Sequence, residues 1–162
     1  MFHRKTCREI TQDWENYREP IKKAFVMSPG ALAMRKDVEY EQIEKSIKLK
    51  LTNPFQKLMQ LWISEENGEI NYVVLTTIQK CEYSNNKTLC WYAFNRLKDV
   101  EEAEKDKAYL EGYQILTEYA LNENCVGIIG YTDLDYFKDR QKELKEWAPV
   151  VHRHLFYLPL TD

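Results

Sequence analysis

The chain has 162 residues, 44% of them hydrophobic and 30% charged, with a net charge of −3. This length fits one domain, and the apolar content supplies a core, which argues against global disorder. With 23 basic residues against 26 acidic ones there is no general electrostatic grip on nucleic acid, and no apolar run approaches the roughly 18 residues of a membrane span. The start, MFHRKTCREI, lacks the apolar stretch of a secretory signal. The four cysteines, Cys7, Cys81, Cys90 and Cys125, are therefore expected as reduced thiols in the cytoplasm. None belongs to a C-x-x-C pair, so a structural zinc site has no support.

Residues 2–7 alternate weakly and read as a short edge strand. Thr6-x-x-Glu9 has the spacing of a capping box, in which each side chain serves the other's backbone N–H. Ile10, Trp14, Tyr17 and Ile21 then recur at helical spacing, and Pro20 is expected to kink or end that helix. Met27-Ser28-Pro29-Gly30 reads as a loop. Asp37 can cap a second helix with the stripe Tyr40, Ile43, Ile47 and Leu51, which Asn53-Pro54 stops.

The middle of the chain changes period. Met59, Leu61 and Ile63 alternate with their neighbours, Glu66-Asn67-Gly68 is a turn, and residues 69–79 are rich in β-branched and aromatic types. A second turn at Ser84-Asn85-Asn86-Lys87 leads into a strand from Thr88 to Phe94, which completes a three-stranded antiparallel meander. Cys81 and Cys90 are symmetric about Asn85-Asn86. A two-residue turn there would set them opposite each other; the alternative is two small buried apolar side chains.

A long helix follows over about 101–122, with Ala103, Leu110, Tyr113, Leu116 and Ala120 as apolar positions. Gly112 inside it costs about 1 kcal/mol against alanine, which points to a close backbone approach. Residues 126–131 read as a buried strand. Gly127-x-x-Gly130 lacks the dinucleotide-binding spacing and is expected to permit close packing beside the long helix. Asp133 can cap a last helix with Leu134, Phe137, Leu144 and Trp147, ended by Pro149, and residues 150–159 form a final strand. The order β-α-α-β-β-β-α-β-α-β describes one α/β (α+β) domain over 1–162 with a mixed, largely antiparallel sheet. No G-x-S-x-G, P-loop or H-E-x-x-H pattern occurs. His152 and His154 share one face of the last strand and would need a third ligand such as His3 to hold a metal; two exposed strand histidines are the other reading, and no metal is expected.

This layout resembles the GNAT (N-acetyltransferase) superfamily over nearly the whole chain. The resemblance rests on the two N-terminal helices, the meander Leu58–Phe94, the helix 101–122, the strand 126–131 and the helix 134–147. It implies that acyl-CoA would lie where the fourth and fifth strands splay apart, with Trp91 to Phe94 lining the acyl slot through their backbone. It further implies a pyrophosphate loop of pattern R/Q-x-x-G-x-G/A at the start of the long helix, where unpaired N–H groups favour anions. The matching stretch is Arg96-Leu97-Lys98-Asp99-Val100-Glu101. Arg96 keeps the first position and Lys98 adds a cation, but Asp99 and Glu101 occupy the glycine slots. A carboxylate about 5 Å from a phosphate charge is repelled by roughly 3 kcal/mol at an effective dielectric of 20. The hairpin after Gly68 also lacks the second glycine common in the family, and one strand follows the last helix where the family usually has two.

By the same resemblance, Tyr136 matches a tyrosine general acid for the leaving thiolate, within the group Tyr131, Asp133, Tyr136 and Phe137. A glutamate base on the central strands would correspond to Glu69, which flanks the first hairpin turn with Glu65 and Glu66. The alternatives are a core-edge tyrosine and solvated turn acids. Small divergent proteins of this layout are common in phages, and the abundance of asparagine, lysine, tyrosine and isoleucine fits that origin. The expectation is a GNAT-like domain that has lost standard acyl-CoA binding and acts as a non-catalytic structural or interaction protein, a phage virion component with protein partners and no cofactor. The alternative is an N-acyltransferase that uses acetyl-CoA on an unidentified amine. Neither nucleic acid nor membrane is an expected partner.

Overall fold

A computed structural model describes residues 2–27, 39–55, 58–97 and 101–130. These belong to one compact unit, Met1–Tyr131; a second unit, Thr132–Asp162, lies outside the described residues. The elements in chain order are β1 (Phe2–Arg4), α1 (Cys7–Gln12), α2 (Trp14–Met27), α3 (Tyr40–Thr52), β2 (Met59–Glu66), β3 (Glu69–Lys80), β4 (Lys87–Arg96), α4 (Glu102–Asn122) and β5 (Cys125–Gly130). The five strands form one sheet in the order β1-β2-β3-β4-β5. All neighbours are antiparallel except β4 and β5, which are parallel and joined by the crossover helix α4.

The expected mixed, largely antiparallel sheet with flanking helices is therefore present, and the strand period assigns its two faces. Leu61 and Ile63 of β2, with Val73 and Leu75 of β3, point to one side and pack with Ile10, Trp14, Tyr17, Ile21, Phe25, Ile47 and Leu51 of the first three helices. Trp62, Tyr72, Val74 and Leu89 point to the other side and pack with Leu116 and Ala120 of α4. Each such fully buried side chain contributes about 1.5–3 kcal/mol.

The first helical stretch breaks at Asp13, not at Pro20. The Asp13 N–H closes the last bond of α1 on Glu9, and the Asp13 carbonyl accepts from Asn16 at 2.9 Å to restart the helix as α2. Pro20 sits inside α2, which runs on to Met27. The residue whose carbonyl loses its N–H partner there is Asn16, on the exposed face, where water can serve it. The buried series Trp14, Tyr17, Ile21, Ala24 and Phe25 holds the helix against the sheet through the proline. Charged side chains lace α2 to α3. Arg18 Nε lies 2.6 Å from Glu44 Oε1, Lys48 Nζ sits 5.0 Å above the Trp14 ring and Lys22 Nζ 5.2 Å above that of Tyr40. The stripe Tyr40, Ile43, Ile47 and Leu51 faces the core as expected, and Asn53 follows the last helical residue. The cap position is Glu39; Asp37 and the loop residues 28–30 lie outside the described residues.

The turn Asn67-Gly68 closes the first hairpin with φ of 53° and 79°, the left-handed pair that suits the twist of two-residue loops. The second hairpin differs from expectation. Lys80 pairs with Lys87, so residues 81–86 form a six-residue connection and Asn85-Asn86 is not a two-residue turn. Cys90 pairs with Thr77 and is buried, Cys81 is exposed in the loop, and the two thiols do not face each other. The strand after this loop is also longer than the periodicity suggested, reaching Arg96.

At Gly112 of α4 the close neighbour is a ring, not a backbone. A Cβ there would stand 3.5 Å from Phe2 Cε2, an ordinary contact. The strand β5 is not the buried strand its apolar run suggested, since Val126 and Ile129 are 68% and 47% exposed. Its glycines are not packed against the helix either. Nothing stands near a Cβ at Gly127, whereas Gly130 faces Trp91 of β4.

Candidate active site at the β4 bulge

β4 and β5 run side by side from Lys87 and Cys125 to the pair Trp91–Gly130, the last among the described residues. β4 continues to Arg96, and over 92–96 its partner is β3 alone among the described residues. Beyond Trp91, β4 carries a bulge against β3. Leu75 pairs with Ala93 and Thr76 with Trp91, which leaves Tyr92 without an opposite residue. A bulge adds one residue, bends the strand and reverses the phase of its side chains. Leu89 and Trp91 accordingly pack on the α4 side, whereas Ala93 packs in the layer of α1 to α3. Opposite β4, Asn71 is a second extra residue, and its carbonyl accepts from the Leu97 N–H at 2.8 Å just beyond the strand end.

The helix that follows is held at its C-terminal end and midway. At its C-terminal end Asn124 adopts φ 58° and its N–H bonds the Leu121 carbonyl, which turns the chain directly into β5. Lys87 Nζ donates to the Glu123 carbonyl at 3.2 Å, tying that end of α4 to the start of β4. Midway, Glu111 accepts the Phe2 N–H at 2.9 Å. The N-terminal end of α4 therefore follows the C-terminal end of β4, with only residues 97–101 between them. Glu101 is the N-cap in extended conformation, exposed, and its carboxylate makes no capping hydrogen bond. The first N–H groups of a helix have no partner within it, so those of α4 are not occupied by the Glu101 side chain. Such donors fit a phosphate, while the Glu101 carboxylate opposes one.

At the Trp91–Gly130 pair, the Trp91 side chain lies against the glycine. A Cβ on that glycine would be 3.6 Å from Trp91 Cβ and 3.8 Å from its Cε3. On the other side the Trp91 ring meets Tyr109 of α4, with centroids 6.3 Å apart and planes tilted by 37°. The same row continues across the sheet through Thr76 and Gln60. There the Trp62 Nε1–H donates to Thr76 Oγ1 at 2.9 Å and the Thr76 hydroxyl donates to Gln60 Oε1 at 2.8 Å. Tyr109 and this polar row escaped the sequence reading. Tyr109 falls on a helix with many aromatic and apolar positions, and Gln60 alternates with apolar residues as any exposed strand residue would.

The expected site residues are placed as follows. Trp91, Phe94 and Arg96 all lie on β4 and span the bulge. Lys98, Asp99 and Tyr136 lie outside the described residues, as do Tyr131, Asp133, Phe137, His152 and His154. Glu69 opens β3 at the first hairpin, exposed and opposite Glu66. Five residues separate it from Val74, the partner of Phe94, or about 17 Å along a strand, so the fold does not bring Glu69 to the bulge. Glu65 is engaged elsewhere, 3.3 Å from Lys5 Nζ and 3.5 Å from His3 Nε2. Among the described residues no group of three or more His, Cys, Asp or Glu could hold a metal ion. No helix among them is long and apolar enough to cross a membrane.

Solved structures share this fold. A ribosomal-protein-alanine N-acetyltransferase from Brucella melitensis biovar Abortus 2308 aligns over 99% of both chains with 11% identity and a TM-score of 0.58. A GNAT family acetyltransferase from Staphylococcus aureus aligns over 99% of this chain and 98% of its own, with 11% identity and a TM-score of 0.59. The chain has the GNAT fold. An acetyltransferase from Clostridium acetobutylicum, solved with acetyl-CoA, aligns over 99% of this chain and 96% of its own with 14% identity and a TM-score of 0.60. No family model matches the chain, and no curated protein matches it in sequence. At these identities the likeness concerns the GNAT fold itself, and the chemistry has to be argued from the residues.

Proposed function

We propose that the chain is an acyl-CoA-dependent N-acyltransferase whose pyrophosphate loop is unusual. The observation that carries this reading is the bulge in β4 that leaves Tyr92 without an opposite residue on β3, one position beyond the Trp91–Gly130 pair of the parallel strands. When bound, acyl-CoA supplies an activated thioester: its carbonyl carbon bonds the amine nitrogen as the C–S bond breaks, the sulfur leaves as a thiolate and the amine gives up a proton. The part of this chain is binding and orientation. The backbone at the β4 bulge would align an extended ligand, and the first N–H groups of α4 would hold a phosphate. Because the extended Glu101 backbone leaves its carboxylate unbonded, that side chain can turn to solvent and lower its repulsion of the ligand. Arg96 and Lys98 add attraction. Tyr136 is the proposed acid for the thiolate.

A second reading has its own support. Glu101 places a fixed negative charge at the N-terminus of α4, in the slot where a glycine would admit phosphate, and Asp99 in the sequence adds another. Acids at a helix N-terminus also complement its dipole without any ligand. In this reading the GNAT fold persists as a non-catalytic interaction module for a protein partner, such as a component of a phage particle.

Isothermal titration calorimetry with acetyl-CoA, on the parent and on an Asp99→Gly/Glu101→Gly variant, separates the two. Micromolar binding by the parent supports the acyltransferase. Binding by the variant alone identifies a fold whose cofactor site was lost. Absence of binding by both favours the interaction module.

A further inference from the structure

We infer that Asn67, at the tip of the first hairpin, is a site of spontaneous covalent modification, where the folded chain loses ammonia and gains a negative charge. Asn67 is exposed and is followed by Gly68, which is exposed as well. A Cβ built on that glycine would meet nothing within 4 Å, so the surroundings of the Gly68 nitrogen are open. The last pair of the β2–β3 ladder is Glu66–Glu69, which leaves the Gly68 N–H in the centre of the turn, with no ladder carbonyl to hold it. The asparagine carboxamide and the nitrogen that can attack it therefore sit side by side in a hydrated turn outside the sheet.

The reaction needs only these atoms and water. The Gly68 nitrogen gives its proton to solvent and bonds Asn67 Cγ; the Cγ–Nδ2 bond breaks, and Nδ2 takes up a proton and leaves as ammonia. One water molecule then opens the succinimide ring. Attack at Cγ yields aspartate, and attack at the main-chain carbonyl carbon yields isoaspartate, whose backbone is longer by a methylene. Neither an oxidant nor a reductant is involved. Ring closure requires the backbone to rotate away from its turn values, φ of 53° at Asn67 and 79° at Gly68. That rotation falls on residues beyond the ladder, and glycine tolerates it. Asn124 provides an internal control. It is also exposed and left-handed, with φ 58°, but the next residue is Cys125, which is buried and paired with Lys87 in the sheet. A side chain on the attacking residue and a nitrogen fixed at a strand start both hinder ring closure there. The product at 67 adds a carboxylate beside Glu66 and Glu69, which already oppose each other across the hairpin.

The test is incubation of the folded full chain in mildly alkaline buffer, followed by isoelectric focusing and peptide mass mapping. A more acidic form is expected to accumulate, with the amide-to-acid mass change in the peptide that carries Asn67, at least about tenfold faster than any change at Asn124. Asn67→Asp suits the same turn and lacks the amide, so it should focus at the acidic position from the start and gain no further acidic form over the same time. An acidic form of the parent that maps to a different asparagine overturns the inference. So does an Asn67 that stays intact in the folded chain while it converts in the urea-unfolded chain, because the turn would then protect the residue. An Asn67 that stays intact in both overturns it as well.

Discussion

Trp62 donates its indole N–H to the hydroxyl of Thr76 on the neighbouring strand, 2.9 Å away, in a place where Thr76 has no exposed surface and Trp62 has 4%. Thr76 hands its own hydrogen to Gln60, itself 5% exposed. Three polar groups are thereby satisfied inside the α4 layer, in the row of the sheet that ends at Trp91. Thr76→Val keeps the shape and removes the hydroxyl, leaving the Trp62 N–H without its acceptor. The variant is expected to lose about 1–3 kcal/mol, read from urea denaturation.

Gly112 offers a gain. A Cβ at this position would meet the Phe2 ring at 3.5 Å, a normal van der Waals distance, and the backbone there is helical. Gly112→Ala is therefore expected to stabilise the protein by about 0.5–1 kcal/mol through helix propensity, raising Tm. A fall in Tm would mean that the Phe2 ring has no freedom to accept the methyl group.

The capping box of α1 predicts an acid-limb dependence. Glu9 accepts from the Thr6 N–H at 2.8 Å and from its hydroxyl at 2.7 Å, and the Glu9 N–H donates back to Thr6 Oγ1 at 3.2 Å. The Thr6 backbone bond, followed by the hydroxyl bond and then the Lys5 charge, holds the Glu9 carboxyl below its ordinary 4.5. A carboxyl with a lowered folded value contributes stability above the ordinary value and loses it as pH falls through the folded one. Glu9→Gln should flatten this loss in a series of denaturation midpoints taken from neutral pH into the acid range. Thr6→Ala should cost about 1 kcal/mol at neutral pH.

The thiols should react in a defined order. Cys81 is exposed, and hydrogen bonds first from the Ser84 side chain and then from the Tyr83 backbone bring its thiol below the ordinary 9.0. Burial raises the thiols of Cys90 and Cys125. Iodoacetamide is expected to label Cys81 first, by peptide mass mapping, and Cys81→Ser should abolish the fast phase. Mild oxidation should yield no Cys81–Cys90 bridge, since one thiol lies in the loop and the other inside the sheet. A bridged peptide in quantity would contradict the register that pairs Cys90 with Thr77.

The sequence by itself determined those elements whose signal is local and periodic. The Thr6–Glu9 box, the stripe Tyr40–Leu51, the Asn67-Gly68 turn, the meander and the long helix all follow from spacings within one or two turns or strands. Their order was enough to suggest the GNAT layout, and the charges in the loop 96–101 were enough to question its usual ligand site. Only the tertiary structure decided what depends on partners distant in the chain. Pro20 stays helical because Trp14, Tyr17 and Ile21 are buried against a sheet formed forty residues later, roughly, and that burial outweighs one lost hydrogen bond. The six-residue loop at 81–86 is set by the pairing of Lys80 with Lys87, which no local turn propensity encodes. The bulge at Tyr92 likewise has no signature in a run of β-formers, because one inserted residue is defined only against the strand opposite. Next to that bulge, Trp91 lies on the α4 face against Tyr109 and Gly130. The candidate site is thus a property of strand register, a relation between distant segments that spacing along a single segment cannot express.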